Sequence, residues 1–276
     1  MEIGIFAKTF PHKGALAVLE AVRKAGYSCT QFNLECVGLE PMPEKLAEQV
    51  SLEIHAAGQA SGVRITALSG TYNMVHSDET IRQQGLDRLE VLMRHAPLMG
   101  TNVITLCTGS LDRENMWRFH EDNGGVKAWQ TLLSEMSAAL DLAESYQINL
   151  AIEPELANVV SSAEKAKKLI DTLASKHLKI ILDPANLLEH GDTQLSRELN
   201  QQAIDLLGEH IVMVHAKDRD KNGNFTTAGQ GVVDFKHLFR QLKDIGYSGP
   251  IITHGLSAQE APQVAQFLKQ NLAELA

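Results

Sequence analysis

The sequence predicts a single (β/α)8 TIM barrel spanning residues 1–276, and three observations carry that prediction. Short apolar runs alternate with longer amphipathic stretches eight times along the 276 residues, a normal length for one such barrel. The short runs are rich in Ile, Val and Thr, the composition of parallel strands covered on their outer face. No repeat, low-complexity stretch or linker interrupts the rhythm. Strict alternation favours a closed barrel over an open doubly wound sheet. No GxGxxG follows the first strand and no Walker loop appears anywhere, so no nucleotide cofactor is expected.

The strands are expected at 2–7, 28–34, 63–68, 102–107, 148–153, 178–183, 210–215 and 250–254. The helices are expected at 13–25, 44–61, 79–97, 126–146, 161–175, 195–207, 234–244 and 259–274. In the first helix Ala15, Val18, Leu19 and Val22 recur at the 3–4 spacing of a buried stripe; in the third, Leu86, Leu89 and Met93 do the same. Two connections, 108–125 and 216–233, are long for a barrel. Both leave the C-terminal ends of strands, the face where barrels build active sites. The connection at 69–76 adds Tyr72, Asn73 and His76 to that face.

A hydrophobic content of 44% supports a large core, while a net charge of −9 weighs against a sequence-independent grip on nucleic acid. Cys29, Cys36 and Cys107 lack metal or redox spacing, and Cys29 and Cys107 lie in apolar runs as buried, inert thiols. No stretch approaches the roughly 18 apolar residues of a membrane span, and no basic leader precedes an apolar run. A cytoplasmic protein without a membrane partner is expected.

Function is read from four consecutive strand ends. Asn149-Leu-Ala-Ile-Glu153, Leu178-Lys-Ile-Ile-Leu-Asp183, Ile211-Val-Met-Val-His215 and Pro250-Ile-Ile-Thr-His254 each close on a metal-ligating residue type. Alone, each is an ordinary helix cap or a structural histidine. Together on the last four strands, Glu153, Asp183, His215 and His254 describe one mouth holding one divalent ion. Two carboxylates and two imidazoles suit Mn, Co, Zn or Fe better than Mg or Ca.

At these motifs the chain resembles the xylose-isomerase-like barrels, and within them the sugar phosphate isomerase/epimerase family, along essentially its whole length. The resemblance is carried by Ala-Ile-Glu153-Pro-Glu155, Leu-Asp183-Pro-Ala-Asn186, Val-His215-Ala-Lys217-Asp218, Gly229-Gln-Gly231-Val-Val-Asp234 and Gly246-Tyr-Ser-Gly249. It implies a Glu, an Asp, a His and a second Glu around a divalent ion, the first three mapping onto Glu153, Asp183 and His215. It also implies a small sugar or sugar-like polyol as substrate and, by analogy, a homodimer or homotetramer. The sequence departs at two positions. His254 stands where the second Glu is expected, and Asn186 where a substrate-binding His is common. With only two anionic ligands a divalent site is formally neutral, and the second carboxylate base of the epimerases is gone.

The expected chemistry is isomerisation or epimerisation through proton abstraction beside a carbonyl and an enediolate. Glu153 is the expected base, with His254 or Glu155 returning the proton; the bland alternative for Glu155 is an outward salt bridge. Lys217 would stabilise the enediolate or hold an anionic substrate group, unless it pairs with Asp218 or Glu153. Trp117, Arg118 and His120 would form a stacking wall and clamp, with Tyr72 and Asn73 nearby and Asn186 turned to substrate. Rival readings are a metal-dependent lyase or dehydratase on a keto-sugar or keto-inositol, an apurinic-site endonuclease with a three-zinc cluster, and a sugar-binding barrel without catalysis.

Overall fold

A computed structural model describes residues 1–275. Eight parallel strands close into a barrel: β1 Glu2–Phe6, β2 Cys29–Phe32, β3 Arg64–Ser69, β4 Val103–Leu106, β5 Asn149–Ile152, β6 Leu178–Leu182, β7 Ile211–Ala216 and β8 Pro250–Thr253. Each pairs with its neighbours in sequence, and β8 closes the ring on β1 through Glu2 opposite Pro250 and Ile5 opposite Thr253. The outer helices are α1 Ala15–Lys24, α2 Glu48–Ser61, α3 Glu79–His95, α4 Val126–Tyr146, α5 Ala163–Leu173, α6 Thr193–Leu207, α7 Phe235–Asp244 and α8 Ala261–Ala273. No described helix is long and apolar enough to cross a membrane.

Most helix ends fall within two residues of expectation, and the largest shift is at the second helix. The helix expected from residue 44 starts at Glu48, after Ala47 in extended backbone. The helix expected to reach residue 97 stops at His95, and Pro97 opens a separate 3-10 turn, Pro97–Met99. The predicted apolar stripes do face inward: Val18, Leu19 and Val22 of α1 and Leu89 and Met93 of α3 are buried. Ala15 and Leu86 sit half-buried at the edge of the same stripes.

The main core lies between strands and helices, while Cys29, Ala67, Ala151, Ile181, Met213 and Ile252 fill the barrel interior. Gly4 on β1 makes that filling feasible. A Cβ there would lie 2.5 Å from Ile252 and 2.6 Å from the Cys29 sulfur. All three cysteines are free and buried.

The loop after β7 contains structure the sequence did not reveal, a two-stranded antiparallel ribbon of Asp218–Arg219 with Phe225–Thr226. Asp218 organises it. Its carboxylate accepts from the backbone N–H groups of Arg219 at 2.8 Å, Gly229 at 3.0 Å, Gly231 at 2.9 Å and Val233 at 3.0 Å. A Cβ on Gly231 would approach Asp218 Oδ1 to 2.3 Å, so the Gly-Gln-Gly turn needs its second glycine to wrap the carboxylate. Asp218 is therefore committed to backbone and does not pair with Lys217, as one alternative had it.

Candidate metal centre

The four strand-end residues converge. Each of Glu153, Asp183, His215 and His254 offers one ligand-type atom, and these atoms all lie within 4.8 Å of one another. The sequence arranges this locally at Asp183. Its Oδ1 accepts from Ala185 N at 2.9 Å and so caps a one-turn helix, Pro184–Leu187, with Pro184 at its first position. Oδ2 is left for the cluster, 3.3 Å from His254 Nε2 and 3.4 Å from Lys217 Nζ. The same turn carries Asn186 back onto Glu153, donating from Nδ2 to Oε1 at 2.8 Å, while Lys217 donates to Asn186 Oδ1 at 2.7 Å.

Glu153 Oε1 also stands 3.0 Å from His215 Nδ1, and the other imidazole nitrogen, Nε2, lies 3.1 Å from Gln31 Oε1. The Phe6 ring stacks on His254 at 4.6 Å between centroids and meets His215 edge-on at 5.4 Å. Oxygen and nitrogen lone pairs thus face one another across a buried space, and a shared cation, or a proton in each contact, relieves their repulsion. The mixed donor set fits a borderline transition ion, and the four residues would hold it. Among the described residues this is the one such cluster. His76 is remote from it in role, its Nδ1 accepting from Asp78 N at 3.1 Å and its Nε2 facing Arg113 O at 3.2 Å.

Electrostatics follow from burial and neighbours. Burial opposes ionisation of Asp183, yet Lys217 and the hydrogen bond from His254 hold its carboxyl well below the usual range. Burial keeps His254 below the ordinary histidine value despite its bond to Asp183. Glu155 is pushed up to about 7 by burial, with the Glu153 charge adding to the effect. Burial likewise raises the Cys107 thiol, which points at Glu153 Oε2 from 4.0 Å.

Above the cluster opens a cavity of about 810 Å³ at the C-terminal mouth, within the size range of small-molecule sites. Glu153, Glu155, Asn186, His215, Lys217 and His254 line its floor, and Trp117, Phe225 and Lys8 its rim. Glu155 faces this cavity rather than an outward salt bridge. Phe225, on the ribbon, carries the Lys217 ammonium 3.8 Å from its ring centre and the Arg219 guanidinium 3.9 Å away.

Four rim residues expected to meet substrate hold other partners in this structure. Tyr72 donates its hydroxyl to Glu135 Oε1 at 2.9 Å, and Asn73 donates to Ser110 O at 2.7 Å. Arg118 pairs with Asp112 at 3.2 Å and Glu114 at 3.1 Å, and His120 caps the 3-10 turn Glu121–Gly124 by accepting from Asp122 N. Each satisfies a local backbone or charge requirement of the rim, so none lines the cavity in this conformation. Residues that the sequence reading did not place at the site take up contacts there: Phe6, Gln31, Cys107 and Phe225. The signal for Gln31 was a polar side chain inside the short apolar run Cys29-Thr-Gln-Phe32, because a buried amide must find partners.

The family model of xylose isomerase-like TIM barrels matches residues 19–271. L-ribulose-5-phosphate 3-epimerase UlaE of Salmonella typhimurium is 26% identical over 262 residues, covering 91% of this chain and 85% of that protein. Among solved structures, the apo 3-keto-D-glucoside 4-epimerase YcjR of E. coli superposes with a TM-score of 0.74 at 19% identity, covering 100% of this chain and 98% of that one. The IOLI protein with a bound zinc atom gives 0.74 at 18% identity, covering 100% and 99%.

Proposed function

Because the chain belongs to the xylose isomerase-like TIM barrel family, we propose that it is a divalent-metal-dependent isomerase or epimerase of a sugar or sugar phosphate. The observation that carries this reading is the convergence of Glu153, Asp183, His215 and His254 within 4.8 Å, three of them lining a cavity of about 810 Å³. It is supported by the epimerase activities named for the sugar-handling relatives and by the zinc recorded in a structure of the same fold.

When bound, the ion supplies Lewis-acid polarisation of a substrate carbonyl and its neighbouring hydroxyl. The chain does the rest. Glu153 removes the proton from the carbon beside the carbonyl, working through Oε2, since Oε1 is held by Asn186. Lys217, fixed by Asn186 and Asp183, stabilises the oxygen that gains charge as the enediolate forms. His254 or Glu155 delivers a proton to the opposite face. Trp117 and Phe225 offer ring faces to the apolar C–H side of a sugar and keep water from the mouth.

His254 favours one second reading. An imidazole opposite one carboxylate base makes an asymmetric acid–base pair, which suits elimination of a β-hydroxyl from a keto-sugar or keto-inositol as well as it suits reprotonation. Metal analysis of the purified protein, followed by proton NMR in D2O with ketoses and keto-polyols, tests both. About one ion per chain and deuterium at an α position support enediolate chemistry, with the products separating isomerase from lyase. Three zincs per chain would indicate a nuclease instead, and no metal with no exchange would leave a non-catalytic sugar-binding barrel.

A further inference from the structure

We infer that Gln31 is a positioning residue for this centre, fixing which nitrogen of His215 faces the ligand cluster; the inference rests on the metal reading above. Gln31 lies on β2, across the barrel from the four ligand strands, and is 2% exposed. Its amide nitrogen is fully committed, donating to Ser69 Oγ at 2.8 Å and to Thr105 Oγ1 at 3.0 Å. Thr105 directs its own hydroxyl proton to Leu68 O at 3.4 Å, so toward Gln31 it accepts. Ser69 Oγ also accepts from Asn33 Nδ2 at 2.8 Å, which uses both of its lone pairs.

With Ser69 and Thr105 accepting from its nitrogen, the Gln31 amide turns its oxygen toward His215. Its oxygen faces His215 Nε2 at 3.1 Å and can only accept, so the hydrogen of that contact must sit on Nε2. In the neutral ring the lone pair is then on Nδ1, the nitrogen 3.0 Å from Glu153 Oε1 inside the cluster. A ligating histidine is commonly oriented through its distal nitrogen in this way, most often by a carboxylate or a carbonyl. Using a neutral amide fixes the tautomer without adding a third negative charge to a centre that already holds Glu153 and Asp183. Gln31 also links the first half of the barrel to a centre otherwise built from the second half.

The alternative is that Gln31 only satisfies buried polar groups. Zinc serves as a diamagnetic probe that separates the two. In the zinc-loaded full-length protein, long-range 15N–1H NMR is expected to show His215 protonated at Nε2. Calorimetric titration of the metal-free protein with Zn2+ is expected to give a Gln31→Leu affinity about ten- to a hundredfold below wild type. Gln31→Glu, which keeps an acceptor opposite Nε2, should recover most of that loss. Protonation of His215 at Nδ1, or equal Zn2+ affinity for wild type and Gln31→Leu, overturns the inference and leaves the metal reading standing. Failure of the wild type itself to bind Zn2+ overturns both. The tautomer measurement needs no variant, so a Gln31 variant that does not fold still leaves the inference tested.

Discussion

Phe6 lies flat against His254, the ring centroids 4.6 Å apart and the planes 15° from parallel. His254 is thereby held between an apolar face and the Asp183 carboxylate, 3.3 Å from its Nε2. The sandwich fixes the imidazole plane and excludes water from one side of it. Phe6→Ala should cost about 1–2 kcal/mol of stability, less than the roughly 3–5 kcal/mol of a fully buried phenylalanine because Phe6 is half-buried. It should also weaken divalent-ion affinity several-fold by freeing His254. Thermal melts and metal titration check the two effects separately, and unchanged metal affinity would show that Phe6 does not organise the centre.

Asp183→Ala and His215→Ala should each strip the bound ion while leaving the barrel folded, since both side chains sit at strand ends above the packed interior. Elemental analysis is expected to fall from about one ion per chain toward zero in either variant. Unchanged metal content in one of them removes that residue from the centre.

The four strand-end residues Glu153, Asp183, His215 and His254 were legible in the sequence because each follows a largely apolar strand run at the mouth. That pattern survives folding, since a parallel barrel places all C-terminal strand ends on one face. Gln31 was not legible as a partner of His215. The two are 184 residues apart, and they meet only when β8 closes on β1 and brings the two halves of the chain round one axis. The partners of Arg118, His120, Tyr72 and Asn73 were not legible for a different reason. Loop side chains respond to local backbone donors and nearby charges that no periodicity encodes, and Asp112, Ser110 and Glu135 had the stronger claim on them.

Lys217 has charge and position to act on substrate, and Lys217→Met separates the two at nearly constant length. The variant should keep its ion, because Lys217 is not a ligand, yet kcat should fall about 10²–10³-fold, the usual loss when one group that stabilises developing charge is removed. Steady-state kinetics beside metal analysis check this. A fall in KM-determined affinity with kcat intact would instead assign Lys217 to ground-state binding.

Asp218→Asn tests the ribbon. One carboxylate accepts four backbone N–H groups there, and an asparagine keeps one acceptor oxygen while turning an NH2 on the remaining donors. The substitution should cost about 1.5–3 kcal/mol, the range for hydrogen bonds to a charged group. It should also release Phe225 from Lys217 and Arg219. Faster proteolysis within 216–233 and a lowered melting temperature are the expected results; a variant as stable as wild type would mean the loop is held by its other contacts.

His254→Glu restores a second carboxylate at the end of β8, where the epimerase pattern implies one. Among the four ligand-type residues only His254 changes identity, so Glu153, Asp183 and His215 still present their atoms and the ion should be retained. The formal charge of a divalent centre then passes from neutral to −1, which weakens the ion as a Lewis acid. It also supplies a carboxylate base opposite Glu153. Total turnover should therefore fall while the share of epimerised product rises, as proton NMR of the product mixture would report. Lys217, 3.4 Å from Asp183, would partly offset the added charge, so the loss should be larger in a Lys217→Met, His254→Glu double variant than the single losses predict. Retention of both the ion and the original product ratio in His254→Glu would mean that the imidazole neither donates nor accepts the second proton, and that role would pass to Glu155 on the cavity floor.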